Sequence, residues 1–171
     1  MRTVVLGPPP HELTALLARR SELGQDLYDE VWEGEYHMSP VPHPRHGATL
    51  DELVGALREP AKRAGLRALG PFNLGSASDY RVPDYGYVRS LPPDTFVPTA
   101  ALVVEVVSPD DETFAKFAFY ARHGVDELLI AEPLQRRVRL FARSGHEYDE
   151  IGASSLLAVE AATLTTLIDW P

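Results

Sequence analysis

The sequence contains 171 residues, carries a formal net charge of −9 and has no cysteine. A chain of this length can bury a core without disulfides or a structural metal, so we expect residues 1–171 to form a single domain. The missing cysteines exclude thiol nucleophiles, thiolate zinc sites and disulfides, and they favour a cytoplasmic protein. The acidic balance disfavours broad, charge-driven binding to nucleic acid, and no apolar run approaches the ~20 residues of a membrane span.

The N-terminal part is predicted to form a helix followed by a β-hairpin. Residues 11–20 carry leucines at helical spacing, which indicates a short amphipathic helix. The stretch "YDEVWEGEYHM" (28–38) alternates on both sides of "EG", which predicts a hairpin that turns near Gly34. We expect its core face to carry Tyr36 and Met38.

A longer helix is predicted after the hairpin. In "HGATLDELVGALREP" (46–60) the apolar residues follow an i, i+3, i+4, i+7 pattern, at Leu50, Leu53, Val54 and Leu57. We expect this helix to end near Pro60, because proline is a helix terminator.

Strands are predicted next, around 66–70, 72–79 and 82–88, followed by the strongly β-prone run 100–107. The near-continuous apolarity of this run indicates a central strand covered on both faces. Glu105 interrupts it. An ionised carboxylate is costly to bury unless it is paired, protonated or bound to a metal, so Glu105 needs a partner.

A second helix is predicted after this strand, with Ser108 as N-cap, Pro109 in the first turn and Asp111 completing a capping box. It should end near Gly124, and its expected buried stripe consists of Phe114, Phe117, Ala118 and Ala121. Strands are predicted in "DELLIAEP" (126–133) and "RRVRLFARSG" (136–145), with weaker ones near 148–151 and 163–169. This order of elements predicts an α/β or α+β fold with a mixed sheet and an added N-terminal hairpin.

Several of these segments together resemble a known family. "RVPDYGYV", "ALVVEVVSP", a lysine early in the next helix and "YARHGVDELLIAEP" occur in this order, with "YDEVWEGEYHMSP" before them and "RVRLF" after them. The set resembles the Uma-two family, a restriction-endonuclease-like branch of the PD-(D/E)XK nuclease superfamily, over roughly residues 26–170. The resemblance implies a mixed central sheet flanked by helices.

The resemblance also implies a site. It assigns catalytic roles to Asp84, Glu105 and Lys116, with Asp84 and Glu105 as ligands of Mg²⁺ or Mn²⁺. The chain departs from the superfamily because Val107 stands where the lysine is usually found, so that role would pass to Lys116. The superfamily's acidic residue from the first helix has no evident match, since Asp51 and Glu52 lie off the apolar stripe.

Each assignment has a simpler alternative. Glu105 could form a buried ion pair with an arginine or accept a backbone hydrogen bond. Asp84 follows Pro83, where aspartate is common in turns. Lys116 lies four residues after Glu112, which is the favourable order for a helix-surface pair, although the chain has only two lysines, at positions 62 and 116.

Two accessory residues and one further pattern complete the candidates. His46 falls on the stripe side of the predicted helix and could contact a phosphate or a metal-bound water, or it could be a satisfied core histidine. Glu35 matches a family position but would otherwise be an exposed strand residue. Convergence of His37, His43 and His46 would indicate a zinc hydrolase, whereas the prolines between them and their irregular spacing favour a loop.

The resemblance therefore implies a metal-dependent endonuclease that hydrolyses phosphodiester bonds in nucleic acid, with DNA as the substrate. The alternative is a catalytically idle module for binding or assembly that keeps the fold. A homodimer would supply the two sites that a double-strand cut needs. The run of Arg58, Lys62, Arg63 and Arg67 could contact phosphates or form a solvated helix face.

Overall fold

A computed structural model describes residues 11–108 and 112–171, together with the backbone of residues 3–5. The described helices are α1 (His11–Glu22), α2 (Pro44–Arg63), α3 (Phe117–Arg122) and α4 (Ala161–Leu167), and a 3₁₀ helix (Thr113–Lys116) leads into α3. The first strands are β1 (Thr3–Val5), β2 (Glu30–Trp32), β3 (Glu35–Met38), β4 (Arg67–Leu69), β5 (Asn73–Ser76), β6 (Asp79–Arg81) and β7 (Tyr85–Val88). The others are β8 (Phe96–Val97), β9 (Leu102–Val106), β10 (Glu127–Glu132), β11 (Arg137–Ser144), β12 (Glu147–Ile151), β13 (Ala153–Ser154) and β14 (Val159–Glu160).

Two mixed sheets and a small hairpin organise these strands. The main sheet has the order β12-β11-β10-β9-β7-β4, the second has the order β1-β3-β2-β6-β5-β8, and β13 pairs with β14. The predicted mixed α/β fold with an N-terminal hairpin is thus confirmed. Within the described ranges, none of the helices is long and apolar enough to cross a bilayer.

Strand β9 lies in the centre of the main sheet, as predicted. It pairs in parallel with β10 and antiparallel with β7, and all five of its residues are buried. Leu102, Val104 and Val106 pack into one core with α2, whereas Val103 packs on the other face with Phe119. This sandwiching by two cores explains the near-continuous apolarity of the segment.

The hairpin turns where expected, but its buried residue differs from the prediction. Glu33 and Gly34 both have positive φ, 51° and 89°, as a two-residue hairpin turn requires. In β3 His37 is buried, whereas Tyr36 and Met38 are only half-buried. The predicted core face was wrong because β3 turns His37 towards Trp32 of β2, with ring centroids 4.8 Å apart.

The helix after β9 also differs from its prediction. It begins as a 3₁₀ helix at Thr113, so Ser108 is not its N-cap, and Pro109 and Asp111 lie outside the described residues. The buried residues of α3 are Phe119, Tyr120 and Ala121, so Ala121 of the predicted stripe is buried, whereas Phe117 is half-buried and Phe114 and Ala118 are exposed. The tighter 3₁₀ turn shifts the phase of the α-helical pattern, which explains the error.

Two helix boundaries complete the corrections. Helix α2 runs past Pro60 to Arg63, because Pro60 lies in the last turn and its own carbonyl still accepts from Ala64 N–H at 3.0 Å. Residues 161–167 form α4 instead of the predicted strand. Its Leu164, and Ile168 just after it, pack into the core, and this packing outweighs the β-propensity of the threonines.

Candidate active site

Asp84 and Glu105 lie opposite each other at one end of the central sheet. Strands β7 and β9 are antiparallel, with Tyr85 opposite Val104, so Asp84 and Glu105 are the next residues in this register. Directly opposite residues place their Cβ atoms about 5 Å apart on the same face. The backbone N–H of Val106 donates to Asp84 Oδ2 at 2.8 Å, which fixes that carboxylate against the end of β9.

Lys116 joins this pair from the 3₁₀ helix. Its Nζ lies 3.3 Å from Glu105 Oε1 and 2.8 Å from Glu30 Oε1, and its side chain is only 12% exposed. The shift of phase in the 3₁₀ helix turns Lys116 towards the sheet rather than away from it. The lysine therefore serves two buried carboxylates at once.

Glu30 also contacts Lys116 in the candidate site, and the sequence reasoning missed it. It comes from β2 in the hairpin, is 3% exposed and also accepts from Val82 N–H at 2.9 Å. Its second oxygen accepts from Trp32 Nε1 at 2.6 Å. Asp51 and Glu52, the acidic residues of the first predicted long helix, are both exposed on α2. Glu30 stands two residues before Trp32 on the same strand face, which is the pattern that could have indicated it.

Tyr120 is the second missed residue. Its side chain is fully buried on α3, and its hydroxyl donates a short hydrogen bond to Glu105 Oε1. Tyr120 follows Lys116 by four residues, so the two side chains lie on neighbouring turns of one helical segment. Together they hold one oxygen of Glu105.

Burial and charge determine the protonation of this cluster. Burial raises the pKa of Glu105 to about 8, with Asp84 and Glu30 adding to the rise and Lys116 opposing it. Burial also acts against ionisation of Glu30, yet the ammonium of Lys116 outweighs it and lowers the pKa of Glu30. Although burial disfavours the ammonium, Glu105 and Glu30 raise the pKa of Lys116 above its usual value. One cation thus faces more acidic groups than it can neutralise.

His46 connects Asp84 to the end of β9. Its Nε2 lies 3.0 Å from Asp84 Oδ1 and its Nδ1 lies 3.1 Å from Ser108 Oγ. Because an ionised carboxylate only accepts, Nε2 is the donor to Asp84. The accessory residue predicted from helix α2 therefore orients Asp84.

Glu35 and the other histidines lie elsewhere. Glu35 stands opposite Trp32 in the hairpin and lines a neighbouring pocket. His43 accepts from Arg45 N–H at the start of α2, whereas His37 stacks on Trp32. Within the described ranges, His, Asp and Glu form no group of three or more that could hold a metal, so the zinc hypothesis was wrong. The basic residues at positions 58, 62, 63 and 67 are exposed.

The donor set still fits a hard divalent ion. Mg²⁺ retains most of its waters and is commonly bound by one or two carboxylates, which Asp84 and Glu105 provide. The mutual repulsion of these carboxylates, which contributes to the raised pKa of Glu105, would be relieved by a cation between them.

Comparison with known proteins places this geometry in context. The family model Uma2, described as "Putative restriction endonuclease", matches residues 16–168. The crystal structure of a protein from Anabaena variabilis, described as a putative nuclease belonging to DUF820, superposes with a TM-score of 0.67 at 17% sequence identity. The match covers 82% of this chain and 90% of that one, so the two share a fold. Among proteins of curated function, none matches significantly.

Proposed function

This chain belongs to the Uma2 family of restriction-endonuclease-like proteins, and on that premise we propose that it is a metal-dependent endonuclease acting on DNA. In this proposal Asp84 and Glu105 bind Mg²⁺ or Mn²⁺, and Lys116 is the third catalytic residue. A cytoplasmic location agrees with the absence of cysteine. A homodimer would bring two such sites to the two strands of a duplex.

The observation that carries the proposal is the excess of buried acid over buried base. Glu30 and Glu105 both contact the ammonium of Lys116, and Asp84 lies opposite Glu105 at the end of two central strands. A purely structural cluster gains nothing from three neighbouring carboxyl groups, because ionising a buried carboxyl group without a counter-charge costs several kcal/mol. A cation-binding site requires that surplus.

The side chains have separable roles in this scheme. When bound, the ion would activate water for attack on the phosphodiester and stabilise charge on the phosphate. Lys116 stays protonated and donates to a phosphate oxygen as negative charge develops. Tyr120 holds Glu105, and His46 holds Asp84, so both carboxylates are oriented before the substrate arrives.

A catalytically idle binding module is the second candidate, and one contact favours it. Lys116 and Glu30 form a tight 2.8 Å ion pair, which already gives the lysine a structural role. The net charge of −9 also weakens affinity for nucleic acid.

DNA cleavage separates these candidates. Supercoiled plasmid and circular single-stranded DNA are incubated with the protein in Mg²⁺, in Mn²⁺ or in EDTA, with RNA of matched length in parallel. We expect nicking that requires metal and is lost in Asp84→Asn but kept in Asp149→Asn, a matched change of an exposed aspartate on β12. Nicking in EDTA, or equal nicking by Asp84→Asn, would refute the proposal.

A further inference from the structure

A second pocket adjoins the acidic cluster. Its volume is about 430 Å³, and its walls come from the hairpin, β6 and the segment around α3. The lining residues are Trp32, Glu33, Glu35, His37, Arg81, Ala115, Ala118, Phe119 and Arg122. Trp32 connects the two regions, because its ring lines the pocket while its Nε1 donates to Glu30. Ala115 also lines the pocket and directly precedes Lys116.

Arg81 is the most constrained residue of this pocket. Its guanidinium carbon lies 4.2 Å from the ring centroid of Trp32 and 4.1 Å from that of Phe119, so the planar group is held between two aromatic rings. Its Nη1 donates to Val31 O at 2.8 Å and to Asp79 Oδ1 at 2.9 Å. The side chain is only 4% exposed. The orientation of the guanidinium is therefore fixed in advance.

One edge of this guanidinium is unused. The side-chain hydrogen bonds of Arg81 to described residues come from Nη1, and the buried Nε has no partner among those residues. Nε and Nη2 together form a two-donor edge that matches a planar pair of acceptors. Because a buried N–H without an acceptor is unfavourable, this edge indicates a partner that the chain itself does not supply.

The charges of the pocket restrict what that partner can be. Arg122 lies 3.8 Å from Glu33, and Glu35 adds a second carboxylate to the pocket, whereas Arg81 is already paired with Asp79. The two carboxylates disfavour a phosphate group. Guanine instead offers acceptors, O6 and N7, on one edge and N–H donors on another, so it suits an arginine fork and a carboxylate together.

We propose that this pocket binds an unpaired guanine of the nucleic-acid substrate, with Arg81 contacting O6 and N7 and Glu35 accepting from the Watson–Crick edge. The inference rests on the proposed function, because it names the base read beside the cleavage site. A base within a duplex cannot enter a pocket, so the guanine must be single-stranded or extruded.

Metal-free binding tests this inference without relying on cleavage. Fluorescence anisotropy in EDTA measures the affinity of the protein for a labelled heptamer of thymidines with a central guanine or adenine. We expect the guanine strand to bind at least about fivefold more tightly, as one bidentate contact predicts. Equal affinities would overturn the inference while leaving metal-dependent cleavage, and thus the proposed function, untouched.

Two variants and two competitors assign the preference to the pocket. Arg81→Lys keeps the positive charge but removes the two-donor edge of the guanidinium. Glu35→Ala removes the other proposed contact to guanine without changing Arg81. This second variant keeps the inference testable if Arg81→Lys fails to fold. Both should abolish the guanine preference, whereas Arg89→Ala, which changes a 62% exposed arginine elsewhere, should retain it. Guanosine should displace the labelled guanine strand from the protein. If inorganic phosphate displaces the strand and guanosine does not, the pocket binds phosphate and the inference is wrong.

Discussion

Two glutamates at opposite ends of the central sheet show how differently a buried carboxylate can be used. Glu105 lies near the end of β9 and Glu127 begins β10, which runs parallel to it. Both are almost fully buried, at 3% and 2% exposure. They differ in what surrounds them.

Glu127 is satisfied by neutral donors from one short segment. Its Oε1 accepts from Ser155 N–H at 2.9 Å, from Ser155 Oγ at 2.8 Å and from Leu156 N–H at 3.3 Å. Its Oε2 accepts from Ser154 Oγ. These bonds attach the loop after β13 to the sheet, which indicates a structural role.

Glu105 instead shares its cation with a second carboxylate. Lys116 lies closer to Glu30 than to Glu105, and Asp84 faces Glu105 across the strand pair. The comparison teaches that burial alone does not decide what a buried acid can do. The donors and charges around the acid differ between the two glutamates, and we propose a functional role for Glu105 on that difference.

The largest expected effect is on activity at the Glu105 end. Glu105→Gln and Asp84→Asn should abolish cleavage, by at least about a hundredfold, while leaving the fold intact because the amides keep the shape and relieve the repulsion. Plasmid nicking measures the loss of cleavage, and circular dichroism checks that the fold is intact. A variant that cleaves like the wild type would show that its carboxylate is not part of the site.

The next effect is on stability when the shared cation is removed. Lys116→Met should lower the free energy of unfolding by about 3–5 kcal/mol, because it leaves Glu30 buried without its counter-charge. The double variant Lys116→Met with Glu30→Gln should recover most of that loss in urea unfolding. If the double variant is no more stable than Lys116→Met, the unpaired charge of Glu30 is not the main cause of the lost stability.

At the other end, Glu127→Gln should destabilise the fold without changing chemistry. One amide oxygen and one amide nitrogen replace two accepting oxygens, so a buried donor loses its acceptor, at a cost of about 1–3 kcal/mol. Chemical unfolding measures the loss, and cleavage per folded molecule should match the wild type. If the folded variant lost cleavage, Glu127 would not be purely structural, and the proposed difference between the two glutamates would be wrong.

The last expected effect is a dependence of the free energy of unfolding on pH. The pKa of Glu105 is raised to about 8 in the folded state, so its contribution is fully present below the pKa of about 4.5 in the unfolded chain and is lost as pH rises to 8. In EDTA the free energy of unfolding should fall by up to about 1.4 kcal/mol per pH unit in this window. Glu105→Gln should flatten the slope, and an unchanged slope would assign it to another group.

The residues at the centre of the candidate site could be selected from the sequence because they stand out locally. Glu105 interrupts an apolar run, Asp84 follows a proline, and Lys116 is one of two lysines in the chain. Central strand β9 was likewise predictable, since burial on both faces requires continuous apolar residues.

The rest depends on contacts between distant segments. Glu30 reaches Lys116 across 86 positions of sequence, and nothing in the local pattern of the hairpin fixes that approach. Tyr120 was missed because the 3₁₀ start of the helix shifts which residues face the sheet. Helix α4 was predicted as a strand because the packing of Leu164 and Ile168, not local propensity, decides its structure.

Titration of Mn²⁺ by calorimetry, into the wild type and into Glu105→Gln, tests the central claim most directly. The account predicts saturable binding to the wild type that is lost in Glu105→Gln and kept in Glu127→Gln, provided that the latter is folded. Equal Mn²⁺ binding by the wild type and Glu105→Gln would contradict the claim that the surplus acid at the end of β9 is a metal site.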